Sequence, residues 1–250
     1  MRHRKSAGRW FVLIAVLALI SGSLLAQASP ESSIQVNFGN NESFTLPVRI
    51  LVVMTLLVFL PAMILSMTSF TRIIIVAHFL RQALGTQTAP PNQILIGLSL
   101  FLTFFIMAPV WDQLYKDAIV PYQEGIINEN GALEAAAVPM RRFMLKQVRE
   151  DDLALFVKIG QLPRPENAES LPMRVVVPAF MISELKTAFQ IGFVLFLPFL
   201  VIDMVISSVL LSMGMMQLPP VIISTPFKIL LFVLVNGWNL VIGSLVESFY

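Results

Sequence analysis

The sequence predicts an all-α membrane protein, and three observations lead to that fold class. Apolar residues make up 56% of the chain and charged residues only 13%, whereas a soluble domain has about 25% charged residues. The mean hydropathy is +0.79. Charge-free stretches near the ~20 residues that a membrane helix needs recur along the chain. We expect two apolar helical hairpins with an extracytoplasmic helical region between them, all after a cleavable signal peptide.

Residues 1–28 have the organisation of a secretory signal peptide. A basic head over residues 2–9 precedes a short apolar run from Trp10 to Ile20. Ala26 and Ala28, with Gln27 between them, then offer a small-x-small cleavage site. The alternative is a retained first membrane helix. Cleavage after Ala28 would leave residues 29–47 as an extracytoplasmic N-terminal segment.

The first apolar hairpin is expected over residues 48–111. No charge interrupts residues 50–71 or 82–111, and the connection near residues 72–92 carries Arg72 and Arg81 but no acid. Positively charged connections stay on the cytoplasmic side of a membrane. We therefore interpret this connection as a cytoplasmic loop, which agrees with an N-terminus exported by the signal peptide.

Residues 112–186 carry most of the remaining charges and are expected to form the extracytoplasmic polar helical region. Apolar residues recur at helical spacing between Pro139 and Gly160, which predicts one or two amphipathic helices. Prolines and small polar residues predict a loop over residues 162–172. The charged run Arg149–Asp152 could be imagined as a metal site. Because such runs usually stay hydrated, we interpret it as a solvated helix face.

The second apolar hairpin is expected over residues 187–250. Its turn is a charge-free segment, residues 212–220, which we call the methionine elbow because it contains Met213, Met215 and Met216. Two interpretations remain open. Flexible, polarizable methionine side chains could close a pore and deform around cargo, or they could simply fill space between helices.

Each helix of this hairpin carries one ionisable residue at membrane depth, Asp203 and Lys228. The two residues lie at similar distances from the methionine elbow, so a simple hairpin brings them to similar depth. An ion pair there would offset much of the desolvation cost. A structural pair within or between subunits, a proton-sensitive switch, and a lysine that extends to the interface all remain open.

The residue inventory argues against an enzyme. The chain has no cysteine and only two histidines, His3 and His78. It contains neither a G-x-S-x-G nucleophile motif nor a Gly-rich phosphate loop. We therefore expect no catalytic residues, no metal and no cofactor. A net charge of only +2 also argues against nucleic acid as a partner.

Several long strings resemble the FliP family of flagellar type III export-gate proteins, and the resemblance covers essentially the whole chain. The strings are Asn92–Pro109 (NQILIGLSLFLTFFIMAP), Phe143–Leu145 (FML), Asp152–Phe156 (DLALF), Pro178–Gly192 (PAFMISELKTAFQIG) and Pro226–Lys228 (PFK). Strings of this length are far more specific than a short motif.

The resemblance implies a pore subunit of the bacterial inner membrane, within the flagellar basal body. Five FliP-like copies would form a ring with FliQ and FliR, together with further export apparatus proteins, and unfolded flagellar substrates would pass through its centre. Met213, Met215 and Met216 would act as a gasket, although Gln217 stands where relatives often extend the methionine run. Asp203 and Lys228 would bridge adjacent subunits. The resemblance also implies that the assembled gate lies largely on the periplasmic side.

Two alternatives remain. An injectisome-type homologue of the same gate would share the hairpins, but that class tends to lack a cleavable signal. A small ion-coupled transporter using Asp203 would be expected to show inverted repeats or several polar intramembrane residues, and neither is evident in the sequence.

Overall fold

The computed structural model describes residues 46–163, 167–215 and 217–250, and the described part is helical without strands. The chain divides into two units, residues 1–50 and 51–250. Of the first, only residues 46–50 are described, as the start of α1. The α-helices are α1 Leu46–Ser66, α2 Phe70–Ala83, α3 Asn92–Leu114, α4 Val120–Gln123, α5 Glu129–Gln147, α6 Glu150–Ile159, α7 Met173–Ser212, α8 Pro220–Leu234 and α9 Gly237–Glu247. The expected all-α class is confirmed.

Helix α7 organises the fold. It contains 40 residues, which corresponds to about 60 Å at the helical rise, roughly twice the thickness of a bilayer core. Helices α2, α5, α6 and α8 all pack against it. The helix continues without interruption through residues 186 and 187, where the sequence suggested a boundary between the polar region and the second hairpin. One continuous helix therefore joins the polar region to the second apolar hairpin.

The first apolar stretch is broken rather than continuous. Helix α1 ends at Ser66, and α2 leaves it at an angle of 75°. At the break the Thr68 hydroxyl donates to the carbonyl of Leu65 at 2.7 Å and accepts from the backbone N–H of Phe70 at 3.3 Å. Such side-chain bonds compete with the helical ladder and favour a helix end. Large apolar side chains of α1 are exposed from Ile50 to Ile64.

The connection over residues 72–92, expected to be a loop, is helical in its first half. Residues 70–83 form α2, and the loop begins only at Leu84. Arg72 lies inside this helix and is 2% exposed. A buried, paired arginine does not report the side of a membrane in the way that a free loop charge does. Of the two arginines that indicated a cytoplasmic connection, only Arg81 therefore still supports that orientation.

The polar region contains the two amphipathic helices that the sequence predicted between Pro139 and Gly160. They are α5, which begins earlier, and α6. The side chain of Asn128 caps α5 by accepting from the N–H of Gly131 at 2.8 Å. Met144 on α5 packs with Val176 and Phe180 of α7 in a buried cluster.

The last apolar stretch is also bent. Helices α8 and α9 meet at 68°, and Asn236 at the break has the left-handed φ of +54°. An Asn-Gly pair tolerates this conformation better than most residues. Helix α9 then packs Leu245 against Ile73 and Ala188.

By length and composition, two stretches of the described chain can cross a membrane, residues 92–123 and α7. The number rises to four if each bent pair counts as one span. A π-helical turn over Tyr115–Ile119 connects α3 to α4 within the first of these stretches.

Candidate functional site: the methionine elbow and the buried ion pairs

The methionine elbow begins with a well-defined helix end. The N–H of Met215 donates to the carbonyl of Leu210, and the N–H of Gly214 donates to Leu211, both at 3.0 Å. Gly214 has φ +75°. These are the two bonds of a Schellman motif, in which glycine takes the left-handed position without strain. Pro220 then starts α8 at its first turn, where its missing N–H costs nothing.

Two of the elbow methionines, Met213 and Met215, are exposed on the single chain. Met213 is 65% exposed and Met215 is 39% exposed, while the placement of Met216 lies outside the described residues. Exposed thioethers at the tip of an apolar hairpin are available to other molecules rather than engaged as filler within this chain. Their role as a gasket stays a prediction.

Asp203 and Lys228 lie together, across the contact between α7 and α8. The Lys228 ammonium donates to Oδ2 of Asp203 at 2.6 Å, and the Ser224 hydroxyl donates to Oδ1 at 2.5 Å. The Lys228 side chain is 4% exposed and that of Asp203 is 26% exposed. Both carboxylate oxygens are therefore occupied inside one chain, whereas the family resemblance implied a bridge between adjacent subunits.

This pair lies about 14 Å from the elbow along α7, given nine residues at the helical rise. Removal of two charges from water is costly unless the pair is close and its other lone pairs are satisfied. Ser224, itself fully buried, supplies the additional donor. The geometry fits a structural tie between the two helices of the hairpin.

A second buried ion pair, which we call the Arg72 cluster, was missed by the sequence analysis. The Arg72 guanidinium donates from Nε and Nη2 to the two oxygens of Glu184, at 2.9 and 2.5 Å. Both side chains are almost fully buried, at 2% and 0% exposure. The same guanidinium donates to Gln147 and to both oxygens of Ser248, each at 2.9 Å. The cluster joins α2, α5, α7 and the segment after α9.

The charged run Arg149–Asp152 is not wholly a solvated face, contrary to the interpretation from sequence. Glu150 and Asp151 are exposed, but the Asp152 side chain is 2% exposed and pairs with Lys186 of α7. The Ser183 hydroxyl also donates to it, at 2.8 Å. Burial raises the pKa of Asp152, but the hydrogen bonds from Lys186 and Ser183 and the positive charges of Lys186 and Arg149 outweigh burial and hold the pKa below its ordinary value.

The remaining predicted site residues, Ala26 and Ala28 of the cleavage site, lie outside the described residues. Among the residues the structure does describe, no group of three or more His, Asp or Glu side chains is arranged to hold a metal ion. The fold and these clusters define an all-α protein with helices able to span a membrane, tied together by ion pairs in which at least one member is buried.

Comparison with known proteins identifies the family. The FliP family model matches residues 53–245. Flagellar biosynthetic protein FliP of Pectobacterium carotovorum subsp. carotovorum is 52% identical over 249 residues, covering all of this chain and 93% of that protein. The FliP proteins of Caulobacter vibrioides and Bacillus subtilis are 52% identical over 239 residues and 53% identical over 208 residues, covering 95% and 83% of this chain and 90% and 94% of those proteins. The chain belongs to the FliP family.

Proposed function

We propose that this chain is a core subunit of the flagellar type III protein export gate in the bacterial inner membrane. Five copies, with FliQ and FliR, would form the pore through which unfolded flagellar substrates cross. Membership of the FliP family, whose relatives described above are named flagellar biosynthetic proteins, carries the proposal. Those names favour the flagellar branch over the injectisome branch.

The exposed apolar surface supports an assembly of this kind. Phe104 and Phe105 on α3 are 68% and 79% exposed, and Met204 and Val205 on α7 are 69% and 58% exposed. Apolar surface of this extent needs lipid or other protein to cover it. A ring of copies with further subunits would cover it largely with protein, which also fits a gate that lies mostly on the periplasmic side.

In this assembly the methionine elbows of neighbouring copies meet around the pore. Met213, Met215 and Met216 form the gasket. The Asp203–Lys228 pair holds the two helices of each hairpin together and so fixes the position of its elbow.

The experiment that tests the ring uses Met215→Cys, since the chain has no native cysteine to interfere. Mild oxidation in membranes should link copies through residue 215.

The matched control is Phe105→Cys, which is also exposed but lies on α3. Cross-links at residue 105 with none at residue 215 would contradict convergence of the elbows. The mass of the purified complex, with its subunit ratio, tests the five-copy ring directly. A transporter that works alone would instead purify without other subunits.

We also propose that the precursor is cleaved after Ala28, which leaves residues 29–47 at the start of the mature chain. N-terminal sequencing of the assembled protein tests this. A mature chain that retains Met1 would contradict the cleavage and leave a further membrane helix in its place.

A further inference from the structure

The bonds of Arg72 divide into two sets with different consequences. Glu184 neutralises its charge through two hydrogen bonds, and the side chain of Gln147 accepts a third from Nη2 at 2.9 Å. Nη1 instead donates to the carbonyl and hydroxyl of Ser248, both neutral acceptors. The guanidinium carbon also lies 3.9 Å from the centre of the Phe249 ring. This second set attaches a separate part of the chain to the ion pair.

That part is the α9 arm, which we define as α9 together with residues 248–250. Gln147 adds a further contact by donating to the carbonyl of Phe249 at 2.8 Å. The other end of the arm adjoins the bend at Asn236, where the left-handed residue interrupts the helix. The arm therefore has a bend at one end and a buried polar attachment at the other.

Helix α8, between the methionine elbow and this bend, packs one side against α7 and leaves the other side exposed. Leu230, Val233 and Leu234 are 57%, 66% and 76% exposed. Lys228 attaches α8 to α7 through Asp203, and Phe232 is its buried apolar contact. Because the bend joins the two helices, the attachment of the α9 arm also holds the C-terminal end of α8 in place.

We infer that Arg72 is a positioning residue that locks the α9 arm onto α2 and α7, and that the arm is released about Asn236 without loss of the α2–α7 contact. Resting on the proposed function, this release gives α8 and the methionine elbow freedom to move when a substrate passes. Arg72 acts through its contacts with Ser248 and Phe249.

The absence of native cysteine permits a direct test by thiol labelling of the full-length protein in detergent-solubilised membranes. Leu245→Cys reports on the arm, because Leu245 is 4% exposed against Ile73 and Phe249. Val176→Cys is the matched buried control, since Val176 is 0% exposed in a different cluster. Leu240→Cys, at a position 60% exposed on α9, sets the fully reactive rate.

Each reporter is combined with Arg72→Lys, which keeps a charge for Glu184 but lacks the planar fork that serves Glu184 and Ser248 together. We expect the maleimide labelling of Leu245→Cys to become about tenfold faster, the change in a local opening equilibrium when one charge-assisted hydrogen bond is lost. Labelling of Val176→Cys should stay slow. Protection of Leu245→Cys in this background overturns the proposal, and so does a parallel rise at Val176→Cys, which would indicate general loosening.

A second variant covers the case in which Arg72→Lys fails to accumulate. Gln147→Leu keeps both charged groups of the Arg72–Glu184 pair but removes two bonds, the one that Gln147 accepts from Arg72 and the one that it donates to Phe249. It should therefore speed labelling of Leu245→Cys in the same selective manner. An unchanged labelling rate of Leu245→Cys in the Gln147→Leu background would overturn the proposal. The result is independent of the ring, because labelling reads the arm within one chain, whereas failure of cross-linking at residue 215 would overturn the proposed assembly alone.

Discussion

Gly192 on α7 lies directly against Phe79 on α2, with no room for a side chain between them. A Cβ atom placed on Gly192 would lie 2.5 Å from Cδ2 and 2.6 Å from Cγ of Phe79. The phenyl ring cannot easily move aside, because the rings of Phe189 and Phe196 pack edge-on against it at 5.1 and 6.2 Å between centroids. The close approach of α2 and α7 therefore depends on glycine at residue 192.

Gly192→Ala should destabilise the protein by about 1–3 kcal/mol through overpacking. The helix-propensity gain from alanine, about 1 kcal/mol, reduces this loss but applies equally to an exposed glycine of another helix. Gly97→Ala on α3 is the control, since nothing lies within 4 Å of its Cβ position. Thermal unfolding of the purified protein should show a lower midpoint for the first variant and no loss for the second. An unchanged midpoint for Gly192→Ala would mean that the two helices separate at little cost.

Asp203→Ala should strongly reduce the amount of folded protein, because Lys228 keeps a buried charge without its partner. Loss of one member of a buried pair typically costs about 3–5 kcal/mol. The double variant with Lys228→Ala removes both charges and should recover part of the loss. Abundance in membranes and the fraction of assembled ring on native gels measure both effects.

The control for this series is Ser208→Ala, whose exposed hydroxyl donates to the carbonyl of Met204 within the same helix. It should behave as wild type. A double Asp203→Ala, Lys228→Ala variant that assembles no better than the worse single variant would contradict the pairing. Since the pair forms inside one chain, co-expression of the two single variants should give no rescue, whereas a bridge between subunits predicts some.

Asp152 should make the attachment of α6 to α7 sensitive to acid. Its pKa in the folded protein lies below the ordinary value of 3.8, so its contribution is fully present above that value and is lost as the pH falls through the folded pKa. The difference in thermal midpoint between wild type and Asp152→Asn should therefore be constant near neutral pH and shrink below about pH 4. Asp151→Asn, at the exposed neighbour, is the control. A difference that grows in acid would contradict this assignment.

The sequence was sufficient for the elements whose signal is local. Charge-free length predicted apolar helices, and apolar spacing predicted α5 and α6. The similar distances of Asp203 and Lys228 from the methionine elbow predicted that these two residues lie at similar depth. The bend at residues 235–236 also had a local signal, the turn dipeptide Asn236–Gly237, which the sequence analysis did not use.

The Arg72 cluster could not be predicted in the same way. Arg72 and Glu184 are separated by 112 residues, and a single arginine after an apolar stretch is typical of a loop at the membrane surface. Only the packing of α2 along α7 shows that Arg72 faces a buried carboxylate. Asp152 was misinterpreted for a related reason, because burial of one member of a charged run is decided by the neighbouring helix.

Replacing Met213, Met215 and Met216 together by alanine should leave the ring assembled but permeable. Alanine removes the long, flexible thioethers proposed to fill the closed pore, while Gly214 and the prolines that shape the elbow remain. Membranes containing the variant should leak small solutes or ions, with secretion of flagellar substrates reduced much less. Met204→Ala, which removes an exposed thioether from α7, is the control and should not leak. A ring that fails to form, without any leak, would show that the elbow methionines are packing residues and not a seal.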